Sequence, residues 1–220
     1  MKKLINILIL LIGPHLFSQN SFTGSTLYLE LNNSGSNTNY DLASHTASTD
    51  FHAADLGTFE VNTTNLKLTG VQHNVQKCGG SNIFGTELWY RIYATNESGG
   101  SFTNFLTSWS SNDPGACNNQ TWETTSQNID VLHGLSNGTY YLEVYGKGWG
   151  SEDFYDNNFS NNYKATFTVG SSLTVSSDQT ISSDVSYVDV TVDSGHTLTI
   201  AKTGSLTISG NLTNNGTVIL

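Results

Sequence analysis

The period of the apolar residues constrains this chain more than any other feature. In separate runs between Ser21 and Val169 they recur at every second position, and no stretch of a dozen residues carries them at helical spacing. A period of two sends neighbouring side chains to opposite faces of an extended strand, one inward and one to solvent. Ser25–Leu31 (STLYLEL) places Leu27, Leu29 and Leu31 on one face. Thr86–Ala94 (TELWYRIYA) sets Leu88, Tyr90 and Ile92 against Trp89, Arg91 and Tyr93. Thr139–Tyr145 (TYYLEVY) does the same with Tyr140, Leu142 and Val144, and Asn162–Val169 (NYKATFTV) closes the series. Thr58–Asn62 and Asn65–Thr69 read as the two arms of a hairpin. Gly, Asn and Ser clusters separate the runs, so the expected fold is all-β: an Ig-like antiparallel β-sandwich over residues 21–169.

One local pattern points to that sandwich in particular. Leu135-Ser-Asn-Gly138-Thr-Tyr140 precedes a strand, with a turn glycine and a tyrosine at fixed offsets. In Ig-like sandwiches a tyrosine so placed bonds back to the chain at the corner between sheets.

After Gly170 the texture changes, and Tyr187 is the sole aromatic residue of the tail. Short β-rich runs, Val188–Val192, Thr197–Ile200, Ser205–Ile208 and Thr217–Leu220, alternate with Gly195, Gly204, Gly210 and Gly216. Brief strands at near-regular spacing are expected to open a short β-solenoid over residues 171–220. Such repeats bury their apolar faces only by stacking, and about three are needed for stability. The tail offers two and stops at Val218-Ile219-Leu220, so the reading expects either a longer protein or self-association through these repeats.

Residues 1–19 read as a signal peptide. Lys2 and Lys3 precede the apolar run Leu4–Ile12, Gly13-Pro14 break it, and Ser18 offers a small residue for cleavage. The run is under half of the ~20 residues that span a bilayer, and no later segment does better. The expected location is therefore secreted or at the outer cell surface. The net charge is −10 and becomes −12 when both leader lysines are removed, a balance that repels phosphate backbones and argues against nucleic-acid partners. Two cysteines, Cys78 and Cys117, remain in the exported part. In an oxidising compartment they are expected to pair, stabilising the fold by about 4 kcal/mol in the chain-entropy picture.

Thr49–Phe59 (TDFHAADLGTF), Leu88–Tyr93 (LWYRIY), Ser101-Phe102, Gln120–Trp122, Ile129–Leu135 (IDVLHGL), Gly138–Val144 (GTYYLEV) and Tyr163–Val169 (YKATFTV) follow one another in order. Together they resemble a β-sandwich module that recurs in secreted surface proteins of Bacteroidota. The closing SLTISGNLTNNGTVIL resembles the parallel β-helix segments that follow such modules. The resemblance implies a structural role and carries no catalytic residues. Proteins of this kind often end in a sorting domain for type IX secretion. The chain shows none, which again leads the reading to expect a longer protein.

Candidate chemistry is sparse. Gly134-Leu-Ser136-Asn-Gly138 matches the nucleophile elbow G-x-S-x-G, but that elbow needs a helix after the serine and a strand follows here. Gly146-Lys-Gly148-Trp-Gly150 lacks the spacing of a phosphate loop. Asp41, His45, Asp50, His52 and Asp55 form the densest His/Asp group but match no metal motif, and His73, His133 and His196 stand alone. Glu152, Asp153 and Asp156, followed by Asn157 and Asn158, could supply oxygen ligands to calcium, the one cofactor in view. Trp109, Trp122, Trp149, Phe154 and Tyr155 sit in or beside loops. A sugar ring stacks its C–H face on an exposed aromatic plane while Asn and Asp bond its hydroxyls, so Trp109, Trp149 and Tyr155 are the candidate carbohydrate site. The expected function is non-catalytic: an adhesin-like structural or binding module of the cell surface whose partners are extracellular glycans or other surface proteins. The alternative is a carbohydrate-binding module built on the loop aromatics and assisted by calcium.

Overall fold

The computed structural model describes residues 20–42, 49–60, 63–77, 82–113, 115 and 117–220. Residues 1–19, expected as a signal peptide, lie outside them. Among the described residues there is no helix, and therefore none long and apolar enough to cross a membrane.

The alternating runs become strands of two sheets. The first runs β3 (Thr49–Asp50), β2 (Asn37–Asp41), β1 (Ser21–Leu31), β5 (Leu66–Gln76), β9 (Asn119–Thr124) and β8 (Ser108–Asp113), with β10 (Ile129–Asp130) also on β5. The second runs β4 (Asp55–Phe59), β13 (Tyr163–Val169), β11 (Gly138–Trp149), β6 (Gly85–Ala94) and β7 (Thr103–Leu106), with β12 (Asp153–Asp156) also on β11. Leu27, Leu29, Leu66, Leu68 and Val71 of the first sheet share one buried cluster with Leu88, Leu142, Val144, Ala165 and Phe167 of the second. Each such leucine, valine or phenylalanine contributes about 1.5–3 kcal/mol on burial, which explains why the period is kept so strictly.

Two expectations need correction. Most pairings are antiparallel, but β4 lies parallel to β13 and β3 parallel to β2. The hairpin expected from Thr58–Asn62 and Asn65–Thr69 does not form. Thr58 and Phe59 belong to β4 in the second sheet, whereas the next strand, β5, lies in the first. Phe59 and Leu66 are both fully buried in the shared core, so the chain crosses over its end instead of folding back beside itself. The tyrosine corner is present: the Tyr140 hydroxyl donates to the carbonyl of Ser136 at 2.8 Å.

The tail folds as short parallel pairings. β14 (Leu173–Val175), β17 (Val190–Val192) and β20 (Leu212–Asn214) form one sheet, and β15 (Gln179–Ile181), β18 (Thr197–Ile200) and β21 (Thr217–Ile219) a second. β16 (Val185–Tyr187) pairs with β19 (Leu206–Ile208) in a third. Val175, Val190, Val192 and Leu198 are its buried core. Polar side chains tie each pass to the one before: Asp178 accepts from the Thr197 N–H and Asp189 from the Asn211 N–H, across 19 and 22 residues. Gly216 is demanded by this stacking, since a Cβ there would come within 2.3 Å of the His196 carbonyl.

Candidate functional site

At one edge of the two-sheet region, Leu42, Asp50, His52, Tyr155, Asn158 and Phe159 line a cleft of about 450 Å³, with the buried Asp156 and Tyr163 behind them. The turn from β12 to β13 builds its mouth. Asn157, Asn158, Ser160 and Asn162 hold that turn by bonding within it: the Asn157 side-chain oxygen accepts from the Ser160 N–H, and the Asn158 amide donates to the Asn162 carbonyl. Asn158, Phe159, Ser160 and Asn162 all have positive φ, 48°, 54°, 72° and 56°. Asparagine tolerates this region, whereas a bulky side chain there costs roughly 1–2 kcal/mol. Phe159 bears that cost and is 96 % exposed.

The turn is pinned from below. The Asn162 amide donates to Glu143 at 2.7 Å, and the other oxygen of that carboxylate takes Arg91 at 2.9 and 3.0 Å and the Tyr93 hydroxyl at 2.6 Å. Burial by itself would raise the Glu143 carboxyl, but the bonds from Asn162, Tyr93 and Arg91 outweigh it and hold the group below its ordinary value. Burial, followed by the bond to Glu143, pushes Tyr93 up to about 12. On the other wall, His52 accepts from the Lys164 N–H through Nδ1 and packs edge-on against Tyr163.

Behind the cleft lies a buried serine, histidine and carboxylate. Ser25 donates to Asp156 at 2.5 Å and meets His73 Nδ1 at 2.9 Å, while Tyr163 donates to the other Asp156 oxygen. The serine has one proton and gives it to the carboxylate, so His73 is the donor to Ser25. Nucleophilic catalysis needs the reverse order, with the histidine accepting the serine proton and the carboxylate orienting the histidine. Nor is the group open to solvent: Ser25 is 3 % exposed and His73 fully buried. Burial lowers the His73 pKa to about 3, which keeps the ring neutral.

The structure divides the residues singled out in the sequence. Tyr155 is half exposed and lines the cleft. Trp149 is half-buried, its ring lying over Gly85, where a Cβ would meet it at 2.3 Å. Trp109 is exposed on β8, the edge of the first sheet opposite β3, beside Trp122 of β9. Trp109 therefore stands apart, whereas Trp149 and Tyr155 share the outer face of β11 and β12. Glu152, Asp153 and Asp156 also separate. Asp153 and Asp156, three residues apart on a strand, point to opposite faces; Asp153 pairs with Lys147 at 2.8 Å, while Asp156 is taken by Ser25 and Tyr163. Among the described residues no three His, Cys, Asp or Glu side chains gather as a metal group. Of the His/Asp group, Asp50 and His52 share the cleft, and His45 lies outside the described residues. Ser136 is exposed in the turn before β11 and serves the tyrosine corner. Cys78 is outside the described residues; the Cys117 carbonyl accepts from the Lys77 N–H at 3.2 Å.

Sequence reasoning passed over Phe159. Its signal was there: a lone aromatic between Asn157-Asn158 and Ser160-Asn161 has no strand period to carry it inward. No protein-family model matches this chain, and no curated protein matches it in sequence.

Proposed function

We propose that this chain is a secreted, non-catalytic, adhesin-like module that binds glycans at the Tyr155–Phe159 cleft. In this reading the two sheets are an Ig-like β-sandwich and the tail is a short β-solenoid that carries it at the cell surface. The leader pattern of residues 1–19, the acidic charge and the resemblance to Bacteroidota surface modules support export. A Cys78–Cys117 bridge belongs to the same reading, supported by the hydrogen bond that brings the backbone next to Cys78 against Cys117. The exposed Leu212 and Ile219 of β20 and β21 support self-association through the repeats.

The observation that carries the glycan reading is Phe159, held in a costly backbone conformation and left almost wholly in water. Strain of that kind persists where the surroundings over-determine it, and it gathers at ligand sites. Phe159 and Tyr155 supply apolar ring faces for sugar C–H groups, and Asp50, His52 and Asn158 supply hydroxyl partners. The reversed order of Ser25, His73 and Asp156 supports the absence of catalysis.

The test is a polysaccharide array probed with the wild type, Tyr155→Ala, Phe159→Ala and Trp109→Ala. Retention of a polysaccharide that both cleft variants lose and Trp109→Ala keeps is expected. Retention by all four proteins, or by none, would refute the cleft.

A further inference from the structure

We infer that a polar groove on the outer face of the first sheet takes further units of an extended glycan chain held at this cleft, an inference that rests on the glycan reading above. The groove, about 300 Å³, is lined by Thr23, Gly24, Thr26, Asp41, Asn74 and Asn119, among others. Thr26 and Asn74 alternate with the buried Ser25, Leu27, His73 and Val75, so they lie on the sheet face turned away from the core. Groove and cleft lie on opposite sides of one wall. Asp41 lines the groove and the next residue, Leu42, lines the cleft. Ser25 stands between them: it borders the groove, while its buried hydroxyl points the other way to Asp156, which lines the cleft.

Two acceptors in the groove lack partners among the described residues. Asp41 is 6 % exposed; one of its carboxylate oxygens accepts from Thr26 at 3.3 Å, and Oδ2 is buried without a hydrogen bond. Asn119 Oδ1 is likewise buried and unpartnered. A buried acceptor without a donor is costly, and more so when charged, so both positions favour a ligand that brings donors. β2 and β9 are separated by β1 and β5 in the sheet. Three strand spacings put the backbones of these two residues roughly 14 Å apart. One ion or one monosaccharide reaches only one of them, while a chain of several sugars reaches both. The lining also selects hydroxyls: Thr23, Thr26 and Thr121 with the amides of Asn74 and Gln120 both donate and accept, as sugar hydroxyls do. A polyamine offers donors alone. Gly24 leaves the floor open, since a Cβ there would meet nothing within 4 Å.

The experiment is isothermal titration with the disaccharide, the hexasaccharide and spermidine, the sugars cut from the polysaccharide the array retains. The wild type is compared with Asp41→Asn, Gly24→Leu and Tyr155→Ala. Gly24→Leu fills open space, so it blocks the groove without disturbing the fold, and thermal unfolding checks both groove variants. In the wild type the hexasaccharide is expected to bind about tenfold tighter than the disaccharide. Asp41→Asn and Gly24→Leu should each remove that advantage and leave disaccharide affinity unchanged. Equal affinity for both lengths, or a hexasaccharide indifferent to both groove variants, overturns the groove; loss in Tyr155→Ala would then still uphold the cleft. Loss in the groove variants with full binding by Tyr155→Ala upholds the groove and sinks the cleft. Binding of spermidine in place of sugar overturns the groove, and an array that retains nothing overturns both.

Discussion

Lowering the pH should destabilise this protein through one residue, His73. The ring is fully buried between the sheets, against Phe22 at 5.1 Å and beneath Gly146, with Ser25 as its side-chain partner. Burial drops its pKa from 6.5 to about 3. The unfolded chain therefore takes up a proton below pH 6.5 that the folded chain refuses until about pH 3. The unfolded state binds more protons throughout that window, so stability falls as pH falls through it. The loss is about 2 kcal/mol at pH 5 and about 3 kcal/mol at pH 4, approaching about 5 kcal/mol at the lower limit. Urea unfolding of the wild type and His73→Gln at pH 7, 5 and 4 isolates this contribution. Glutamine can still donate to Ser25, and the carboxylates that titrate below pH 5 are common to both proteins. The wild type should lose about 2 kcal/mol more than His73→Gln between pH 7 and pH 5. Parallel pH profiles would show that the ring titrates near its ordinary value and is not sealed in the core.

Leu142→Ala should cost about 2–5 kcal/mol in chemical unfolding, because Leu142 is fully buried in the core shared by both sheets. Tyr140→Phe removes the bond to the Ser136 carbonyl and should cost about 0.5–1.5 kcal/mol by the same assay. Gly216→Ala forces a methyl against the His196 carbonyl. It should cost about 1–3 kcal/mol, seen as faster amide exchange from Leu173 to Ile219 with no change in the strands before Val169.

Elements set by side-chain period were readable from the sequence. The strands holding Leu27, Leu88, Leu142 and Phe167 follow directly from alternation, because one misplaced residue would turn each core face to water. Which sheet a strand joins was not readable. Phe59 and Leu66 are apolar whether their strands pair with each other or with opposite sheets, so the hairpin expectation failed on partner choice and not on strand type. In the tail, Gln179–Ile181 and Val185–Tyr187 are three-residue strands, too short to carry a period before Ser and Asp interrupt them. The site was half legible. Tyr155 stood out as a loop aromatic, but the left-handed backbone that presents Phe159 depends on side-chain bonds from Asn157 and Asn158 that spacing does not reveal. The grouping of Ser25 with His73 and Asp156 joins residues 48 and 131 positions apart and needs the fold.

The central claim is that one glycan chain engages both the exposed turn after β12 and the groove beside β1. Amide chemical shifts followed during titration with the hexasaccharide test it most directly. Changes should concentrate at Tyr155–Phe159, His52 and Thr23–Thr26, and should extend to Asn74. Changes confined to the β8 edge around Trp109, or no changes at saturating sugar, would contradict it.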